Sequence, residues 1–287
     1  IKSFPMGESV WRMGVQELWR EGLTGKGVKV AVIDQGVHKH RELDAAVRGS
    51  KDFTGRRDLL PQEDHATHVS GTIHALAPDA EIRSYKVFDE RMRGKTHGEQ
   101  TTIMKAIDAA VRDGNRIINM SLGGEIDGKM PEIRTLAKIN KYAKQGVIFV
   151  ISAGNDLDEG VKGISAPSVA REAFSSGALD VSGRNAAFSQ HGRTHDPARR
   201  KDVYKTLYMT PGTSIVSSVA GQGYGLKSGT SMSAPHLAGA MGLLWGGAHQ
   251  ADAALGSAAL SRKIRGAVTS SARPMPEEDR PEGARKK

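Results

Sequence analysis

Short apolar runs alternate along the chain with stretches in which apolar residues recur at helical spacing. The run at residues 28–33 is nearly all apolar, as is typical of a strand that is buried on both faces, and residues 82–88, 117–122 and 147–152 are predicted as three more strands. Between the second and third runs, Ile103, Ile107 and Ala110 follow a spacing of i, i+4 and i+7, which predicts an amphipathic helix. The alternation predicts an α/β fold in three layers, with a mostly parallel central sheet and helices on both faces.

Length and composition are those of a globular chain. The 287 residues are 38% hydrophobic and 25% charged, and chains of this size often form one α/β domain. We expect that domain over residues 1–269. Residues 270–287 are rich in Pro, Glu, Arg and Lys and have little to bury, which predicts a disordered tail. No apolar run approaches the roughly eighteen residues of a membrane span, so we expect none.

Charge and cysteine content exclude several classes of function. The chain has no Cys, which rules out disulfides, thiolate metal sites and a Cys nucleophile. A net charge of +9 would favour binding to nucleic acid. Aromatic residues make up only 5% of the chain, however, and no run of basic residues alternates with them. We therefore expect a solvated basic surface and no nucleic-acid partner.

Polar residues follow three of the predicted strands. Asp34 comes directly after the first strand, residues 121–124 close the third, and Asn155 lies just beyond the fourth. Because the carboxyl ends of parallel strands meet at one edge of a sheet, we expect these residues to lie close together.

Two further residues complete a set for nucleophilic catalysis. His65 opens a helical segment, and Ser231 precedes a helix of small residues over 237–245, where free backbone N–H groups and the positive end of the helix dipole are close. A hydroxyl is a poor nucleophile unless a base takes its proton and a carboxylate orients that base. Ser231, His65 and Asp34 supply one residue of each kind. Singly, each residue is more often a cap, core or turn residue, so the prediction depends on their combination.

The segments around these residues resemble the subtilisin family of serine proteases. They are VAVIDQG at 30–36, HATHVSGT at 65–72, SAGN at 152–155 and GTSMSAPH at 229–236, in the family's order of Asp, His and Ser. The resemblance runs from about residue 11 to about residue 245. It implies a subtilisin-like fold and a serine endopeptidase that hydrolyses protein substrates through an acyl-enzyme intermediate.

The resemblance assigns a role to each residue of the set. Ser231 corresponds to the nucleophile, His65 to the general base and acid, and Asp34 to the carboxylate that orients the imidazole. Asn155 and the backbone N–H of Ser231 correspond to the oxyanion hole. The family's substrate-binding positions correspond to Ser121, Leu122, Gly123, Gly124, Ala153, Gly154, Asp156 and Ser165.

The substrate-binding positions imply a broad specificity pocket. Residues 121–123 would pair with an extended substrate backbone as an added strand. Residues 122–124, 153–156 and the stretch near Ser165 would wall an open S1 pocket. Asp156 at its rim would add a preference for Lys or Arg, weakened by solvent screening.

Two residues depart from the family's pattern beside the triad. Gln35 stands where the family usually has Ser or Thr after the Asp, and Ala66 stands where it has Gly after the His. Both changes touch the surroundings of the triad, and neither removes a catalytic group.

The resemblance also bears on metal ions and partners. Many relatives hold calcium in a loop inserted after the catalytic His, whereas residues 72–82 here run straight into the next strand. We expect no required cofactor and no tight calcium at that place; a weak calcium site elsewhere stays open. Expected partners are protein or peptide substrates, with a propeptide or inhibitor as a candidate, so the enzyme would be made as a zymogen. We expect a monomer that is secreted or extracytoplasmic, with an intracellular location as the alternative.

Other classes of protein fit less well. In a dinucleotide-binding loop, glycines follow the first strand, but Gly25 and Gly27 precede it. An α/β-hydrolase would have a G-x-S-x-G motif, but Ser233 fills the last position of that pattern. A zinc protease would have H-E-x-x-H, but His65 and His68 lack the Glu and the spacing. The remaining rival is an inactive subtilisin-like domain that only binds, against which the complete set of catalytic residues argues.

A basic insertion is predicted at residues 191–205, where the family usually has a shorter connection. It contains Arg193, Arg199, Arg200, Lys201 and Lys205. We expect an exposed segment that is either a solvated loop or a docking site for an acidic partner or a pro-segment.

Overall fold

The computed structural model describes residues 8–56, 59, 61, 63–89, 96–252 and 254–272, with the side chains of 96–99 left out. The helices are α1 (Glu8–Arg12), α2 (Gln16–Arg20), α3 (His65–Leu76), α4 (Thr96–Arg112), α5 (Met130–Lys144), α6 (Thr230–Ala251) and α7 (Ser257–Ser271). The strands are β1 (Lys29–Asp34), β2 (Val47–Asp52), β3 (Glu81–Lys86), β4 (Ile117–Met120), β5 (Ile148–Ser152), β6 (Phe174–Leu179), β7 (Arg193–Asp196), β8 (Lys201–Tyr204), β9 (Leu207–Pro211), β10 (Ile215–Ser218) and β11 (Tyr224–Lys227).

A seven-stranded sheet organises the fold in the order β2-β3-β1-β4-β5-β6-β9. Every pairing in it is parallel, which confirms the predicted sheet. The chain adds β3 on one side of β1 and β4 on the other, so the direction of strand addition reverses at β1. Ligand sites in open α/β sheets lie at such a reversal, at the carboxyl ends of the strands.

Both faces of this sheet are covered, as the alternating order of strands and helices predicted. Val30 and Val32 of β1 lie in a buried cluster with residues of α3, α6 and α7. Ala31 and Ile33 point the other way, into a cluster with residues of α4 and α5. Side chains that alternate along a strand reach opposite faces, so both faces need apolar residues.

Several element bounds differ from the predicted ones. Asp34 is the last residue of β1, and α6 begins at Thr230, so Ser231 lies inside its first turn. The tail was predicted to begin at residue 270, but α7 continues to Ser271. Leu260 and Ile264 on the apolar face of this helix are buried in the core. The rest of that predicted tail, residues 273–287, lies outside the described residues.

Candidate active site

The carboxyl ends of β1, β4 and β5 lie side by side and form the floor of a cleft. Asp34 ends β1, Ser121 directly follows β4, and residues 153–155 directly follow β5. The cleft has a volume of about 330 Å³. It is lined by Asp34, Gln35, His65, Phe88, Ser121, Leu122, Gly123, Gly124, Ser152, Gly154, Asn155, Asp156, Ser165, Thr230 and Ser231. Folding thus brings together residues that are up to 197 positions apart, from Asp34 to Ser231.

A buried carboxylate orients the imidazole in this cleft. Both carboxylate oxygens of Asp34 lie 2.9 Å from Nδ1 of His65, and Asp34 is only 2% exposed. The backbone N–H of Gln35 also donates to Oδ1 of Asp34, at 2.7 Å. Because Nδ1 is held as a donor, Nε2 is the ring nitrogen left to accept a proton from the cleft.

The surroundings of His65 act on its pKa in opposite directions. Burial lowers the pKa, but the charge of Asp34 and its hydrogen bond raise it by more, so the net shift is upward. Lys227 lowers the pKa and Glu63 raises it, both by smaller amounts. The imidazole therefore gains a proton more readily than a free histidine, as a general base requires.

Ser231 lies in the first turn of α6 and is tied to Ser121 in both directions. Its Oγ donates to the carbonyl oxygen of Ser121 at 3.3 Å, and Oγ of Ser121 donates to the carbonyl oxygen of Ser231 at 2.8 Å. The second bond is available because Pro235 has no N–H for the carbonyl four residues earlier. The hydroxyl proton is thus directed at Ser121 and must turn toward His65 before that base can take it. Catalytic hydrogen bonds often form only when substrate is bound.

Thr230 orients the side-chain amide of Asn155. Oδ1 of Asn155 accepts from the backbone N–H of Thr230 at 2.8 Å and from its Oγ1 at 2.9 Å. Oγ1 of Thr230 accepts in turn from the N–H of Gly154, at 3.1 Å. With its oxygen occupied, Asn155 presents Nδ2 as a hydrogen-bond donor on the exposed side, beside the start of α6.

Comparison with known proteins places the chain in a family. A model of the subtilase family matches residues 25–284. The chain is 34% identical over 261 residues to the major intracellular serine protease of Bacillus subtilis (strain 168), covering 85% of this chain and 76% of the relative. It is 33% identical over 253 residues to subtilisin BL of Lederbergia lenta, covering 85% and 84%. The chain belongs to the subtilase family.

Solved structures resemble the subtilase in fold. A cold-adapted subtilisin-like serine proteinase aligns with a TM-score of 0.65 and 26% identity, covering 83% of this chain and 81% of that one. A lanthipeptide protease aligns over 93% of this chain and 88% of its own, with a TM-score of 0.77; at 23% identity this likeness concerns the fold alone. Together with the family match, these findings make the subtilase a serine endopeptidase, a hydrolase of the subtilisin-like kind.

The walls of the cleft match the predicted substrate-binding positions with one exception. Leu122, Gly123, Gly124, Gly154, Asp156 and Ser165 all line the cleft. Ala153 does not, because its side chain is fully buried. Its N–H donates to the carbonyl of Ser176 at 2.9 Å, and its carbonyl accepts from the N–H and Oγ of Ser165, both at 2.8 Å. Ala153 therefore positions the wall from behind.

Gly154 lines the cleft and packs directly against the side chain of Gln190, which does not line it. A Cβ on Gly154 would lie 1.8 Å from Oε1 of Gln190 and 2.2 Å from Oγ of Ser165, and φ is +113°. Only glycine fits there. Gln190 also donates from Nε2 to the carbonyl of Gly163 at 3.1 Å, so its side chain contacts both the Gly154 segment and the Gly163 segment. The motifs contain Thr230 but give no hint of its role, and Gln190 carries no local signal at all.

The predicted insertion at 191–205 is a β-hairpin, and part of it is buried. Thr194 and Asp196 are 5% and 3% exposed, and Oγ1 of Thr194 accepts from the N–H of Ile164 at 2.7 Å. Lys205 is not exposed either: Nζ donates to the carbonyls of Ala170 and Arg171 at 2.5 and 2.7 Å. Burial, with the nearby charge of Arg265, lowers the pKa of Lys205 to about 7. The expectation of a wholly exposed basic segment is therefore wrong for this lysine.

The hairpin borders a second cavity of about 870 Å³ that adjoins the cleft. Gly124, Asp156 and Ser165 line both cavities. Its walls carry the cations Lys162, Arg193 and Arg200 together with the carboxylates Glu125, Asp127 and Asp156. The charges of this cavity are therefore mixed rather than of one sign.

The connection between α3 and β3 has no inserted loop. Helix α3 runs unbroken from His65 to Leu76, and a short turn leads directly into β3. Within the described ranges, no three His, Cys, Asp or Glu side chains lie together as metal ligands would. Nor does any described helix combine the length and apolar character needed to cross a membrane.

Proposed function

We propose that the subtilase cleaves peptide bonds with Ser231 as nucleophile, His65 as general base and acid, and Asp34 as the orienting carboxylate. The observation that carries this proposal is the pair of 2.9 Å contacts from Asp34 to Nδ1 of His65, in a cleft that also holds Ser231. The family match supports the same reading.

The reaction proceeds in two halves. Nε2 of His65 takes the Ser231 proton while Oγ bonds to the scissile carbonyl carbon. The imidazolium then gives that proton to the leaving amine, the C–N bond breaks, and an ester to Ser231 remains. Water attacks the ester with His65 again taking a proton, and the carboxylic acid leaves as Ser231 regains its hydrogen. Asp34 stabilises the imidazolium in both halves.

Asn155 and the N–H of Ser231 form the oxyanion hole in this proposal. The bonds from Thr230 hold the oxygen of the Asn155 amide, which leaves Nδ2 free to meet the negative charge on the carbonyl oxygen. Donors fixed in place before the reaction need no reorganisation when that charge develops.

Substrate binding follows from the walls of the cleft. Residues 121–123 pair with an extended substrate backbone, and Leu122, Gly124, Gly154 and Ser165 enclose the P1 side chain. Asp156 is exposed at the rim, so its preference for Lys or Arg at P1 is modest and declines with salt. A P1 library should show broad acceptance of large side chains; exclusive use of small or acidic ones would contradict this pocket.

A fluorophosphonate probe tests the catalytic assignment directly. It should label the wild-type protein at Ser231, and labelling should disappear in Ser231→Ala and on heating. The neighbouring hydroxyl variant Ser233→Ala is a poor control because Ser233 is buried in a hydrogen-bond network. Exposed Ser182→Ala is better, and it should label like the wild type. Labelling that survives in Ser231→Ala would overturn the assignment.

The remaining expectations stay proposals. We propose a monomer that is made as a zymogen, with a propeptide or inhibitor as its partner and with no required cofactor. We propose an extracytoplasmic location; the relative named as an intracellular protease supports the alternative. Mass measurement of the protein recovered from separated cell fractions would decide both the processing and the location.

A further inference from the structure

The hairpin formed by β7 and β8 contacts one wall of the cleft from behind. Thr194 of β7 is 5% exposed and does not line the cleft, yet its Oγ1 accepts from the N–H of Ile164 at 2.7 Å. Ile164 directly precedes Ser165, which lines the cleft. One hydrogen bond and one peptide unit therefore connect the hairpin with a residue of the proposed P1 pocket.

Gly163 brings the same wall and the hairpin region into direct contact. Its N–H donates to the carbonyl of His191 at 2.9 Å, and its carbonyl accepts from Nε2 of Gln190 at 3.1 Å. Its φ is +87°, and a Cβ there would lie 2.7 Å from Oγ1 of Thr194 and 2.8 Å from the carbonyl oxygen of Arg193. Only glycine allows so close an approach in this conformation, so the wall has no room to move toward the hairpin.

Other hydrogen bonds hold this wall on the side of the cleft. Ser165 donates from its N–H and from its Oγ to the carbonyl of Ala153, each at 2.8 Å. Ala166 and Gly124 exchange two backbone hydrogen bonds of 3.0 Å. Ile164 and Thr194 border the second cavity and not the cleft, so their hydrogen bond lies on the far side of the wall. A side chain that enters the cleft pushes against this wall, and the contacts behind it oppose the displacement.

We propose that Thr194 is a positioning residue for P1 selection, because through Ile164 it holds Ser165 in place against large P1 side chains. The inference rests on the proposed function, since it assumes that the P1 side chain occupies the pocket beside Ser165. A side chain such as Phe reaches the wall and gains from the contact only while the wall stays in place. An Ala side chain at P1 is too short to reach it. Acyl transfer at Ser231 has no part in this role, so the hairpin affects the choice of substrate and not the chemistry.

Two peptides that differ only in Phe or Ala at P1 test this role. Thr194→Val keeps the shape of the side chain but removes the acceptor. The ratio of kcat/KM for the Phe peptide to that for the Ala peptide should then fall about two- to tenfold, the range that the loss of one hydrogen bond allows. Thr194→Ser keeps the acceptor and should keep the wild-type ratio. Thr206→Val, the same change at an exposed threonine that follows β8, should also leave the ratio unchanged.

Gln190→Met gives an independent check, which also decides the matter if Thr194→Val does not fold. Gln190 is 3% exposed, and this change removes the donor to the carbonyl of Gly163 while keeping a side chain of similar length. It should lower the ratio in the same direction. A merely structural role would lower the melting temperature of a variant and reduce kcat/KM equally for both peptides, so the ratio separates positioning from stability.

The fluorophosphonate probe separates this inference from the proposed function. A probe without a P1 side chain should label Ser231 in Thr194→Val at the wild-type rate. If the wild type neither labels nor cleaves, the catalytic assignment fails and the inference with it. If the wild type labels and cleaves both peptides, but Thr194→Val and Gln190→Met keep its ratio, the role of Thr194 alone is overturned. An equal loss in Thr194→Ser would also overturn it, whereas a loss that Thr194→Ser restores supports it.

Discussion

The catalytic cleft and the β7–β8 hairpin lie next to each other but are held in different ways. Asp34, His65 and Ser231 belong to β1, α3 and α6, whose apolar residues are packed into the core. The hairpin contributes few apolar side chains, and polar contacts of Thr194 and Lys205 attach it to the rest of the fold.

The difference shows that two neighbouring regions of one fold can be stabilised by different kinds of interaction. Core packing is non-directional and spread over many side chains, so it holds the catalytic residues without depending on any one contact. The hairpin depends on a few buried polar groups, each of which is costly if its partner is lost. Changes in the cleft should therefore alter chemistry while leaving stability intact, and changes in the hairpin should do the reverse.

The largest expected effect comes from Ser231→Ala. We expect kcat to fall by about a million-fold, the magnitude known for the corresponding residue of subtilisin itself. The thermal midpoint should stay close to that of the wild type, because Ser231 contributes only its link to Ser121. Steady-state kinetics and thermal unfolding check both parts, and a variant with wild-type turnover would show that the nucleophile is another residue.

A smaller effect is expected at the oxyanion hole. Asn155→Ala should lower kcat by about a hundred- to a thousand-fold with little change in KM, again the range known for subtilisin. The reason is that its donor meets a charge that develops only in the transition state.

The variant Asn155→Asp distinguishes loss of the hydrogen-bond donor from loss of structural stability. It keeps an oxygen for the two bonds from Thr230 but has no N–H to offer. It should be as stable as the wild type and at least as inactive as Asn155→Ala. An effect confined to KM in either variant would rule out this role.

The hairpin should respond through stability and pH. Burial holds the pKa of Lys205 at about 7, well below its usual value, so the unfolded chain binds a proton there that the folded chain lacks between pH 7 and about pH 10. The free energy of unfolding contributed by this group therefore rises with pH across that window. It is lowest below the folded pKa of about 7.

Lys205→Met should remove this pH dependence. The melting temperature of the wild type minus that of the variant should increase by roughly 4 °C or more from pH 7 to pH 10, since each kcal/mol shifts it by about 2–4 °C at this size. Lys201→Met, an exposed lysine of the same hairpin, is the matched control and should run parallel to the wild type. We expect kcat to be unchanged in both variants, in contrast to variants of the cleft. If the melting temperature of Lys205→Met followed that of the wild type at every pH, the lowered pKa of Lys205 would be refuted.

The smallest effect is expected from removing metal ions. With α3 passing directly into β3, the midpoint of Ser231→Ala should be the same with and without excess chelator. The inactive form avoids self-cleavage during heating. A drop of about ten degrees, equivalent to several kcal/mol at this size, would show a tightly bound ion and contradict the expectation.

Local pattern was enough to predict the centre of the fold and to propose the catalytic residues. β1, β4 and β5 are largely apolar because they are buried on both faces, and β3 has apolar residues among polar ones, so all four could be predicted. The edge strand β2 has mostly exposed residues, and β6 is built from small and polar ones, so neither was predicted. The triad and the role of Asn155 could be proposed because their neighbours form motifs that resemble a known family.

Tertiary structure alone decided how those residues are supported. Thr230 orients Asn155, Gln190 packs against Gly154, and Ala153 lies behind the cleft, all through contacts between distant segments. The sequence predicts an exposed Lys205, whereas in the structure its ammonium group donates to two backbone carbonyls. Periodicity reports only whether a position is apolar; the partner of a polar side chain is set by which loops meet at the sheet edge, and no local pattern records that.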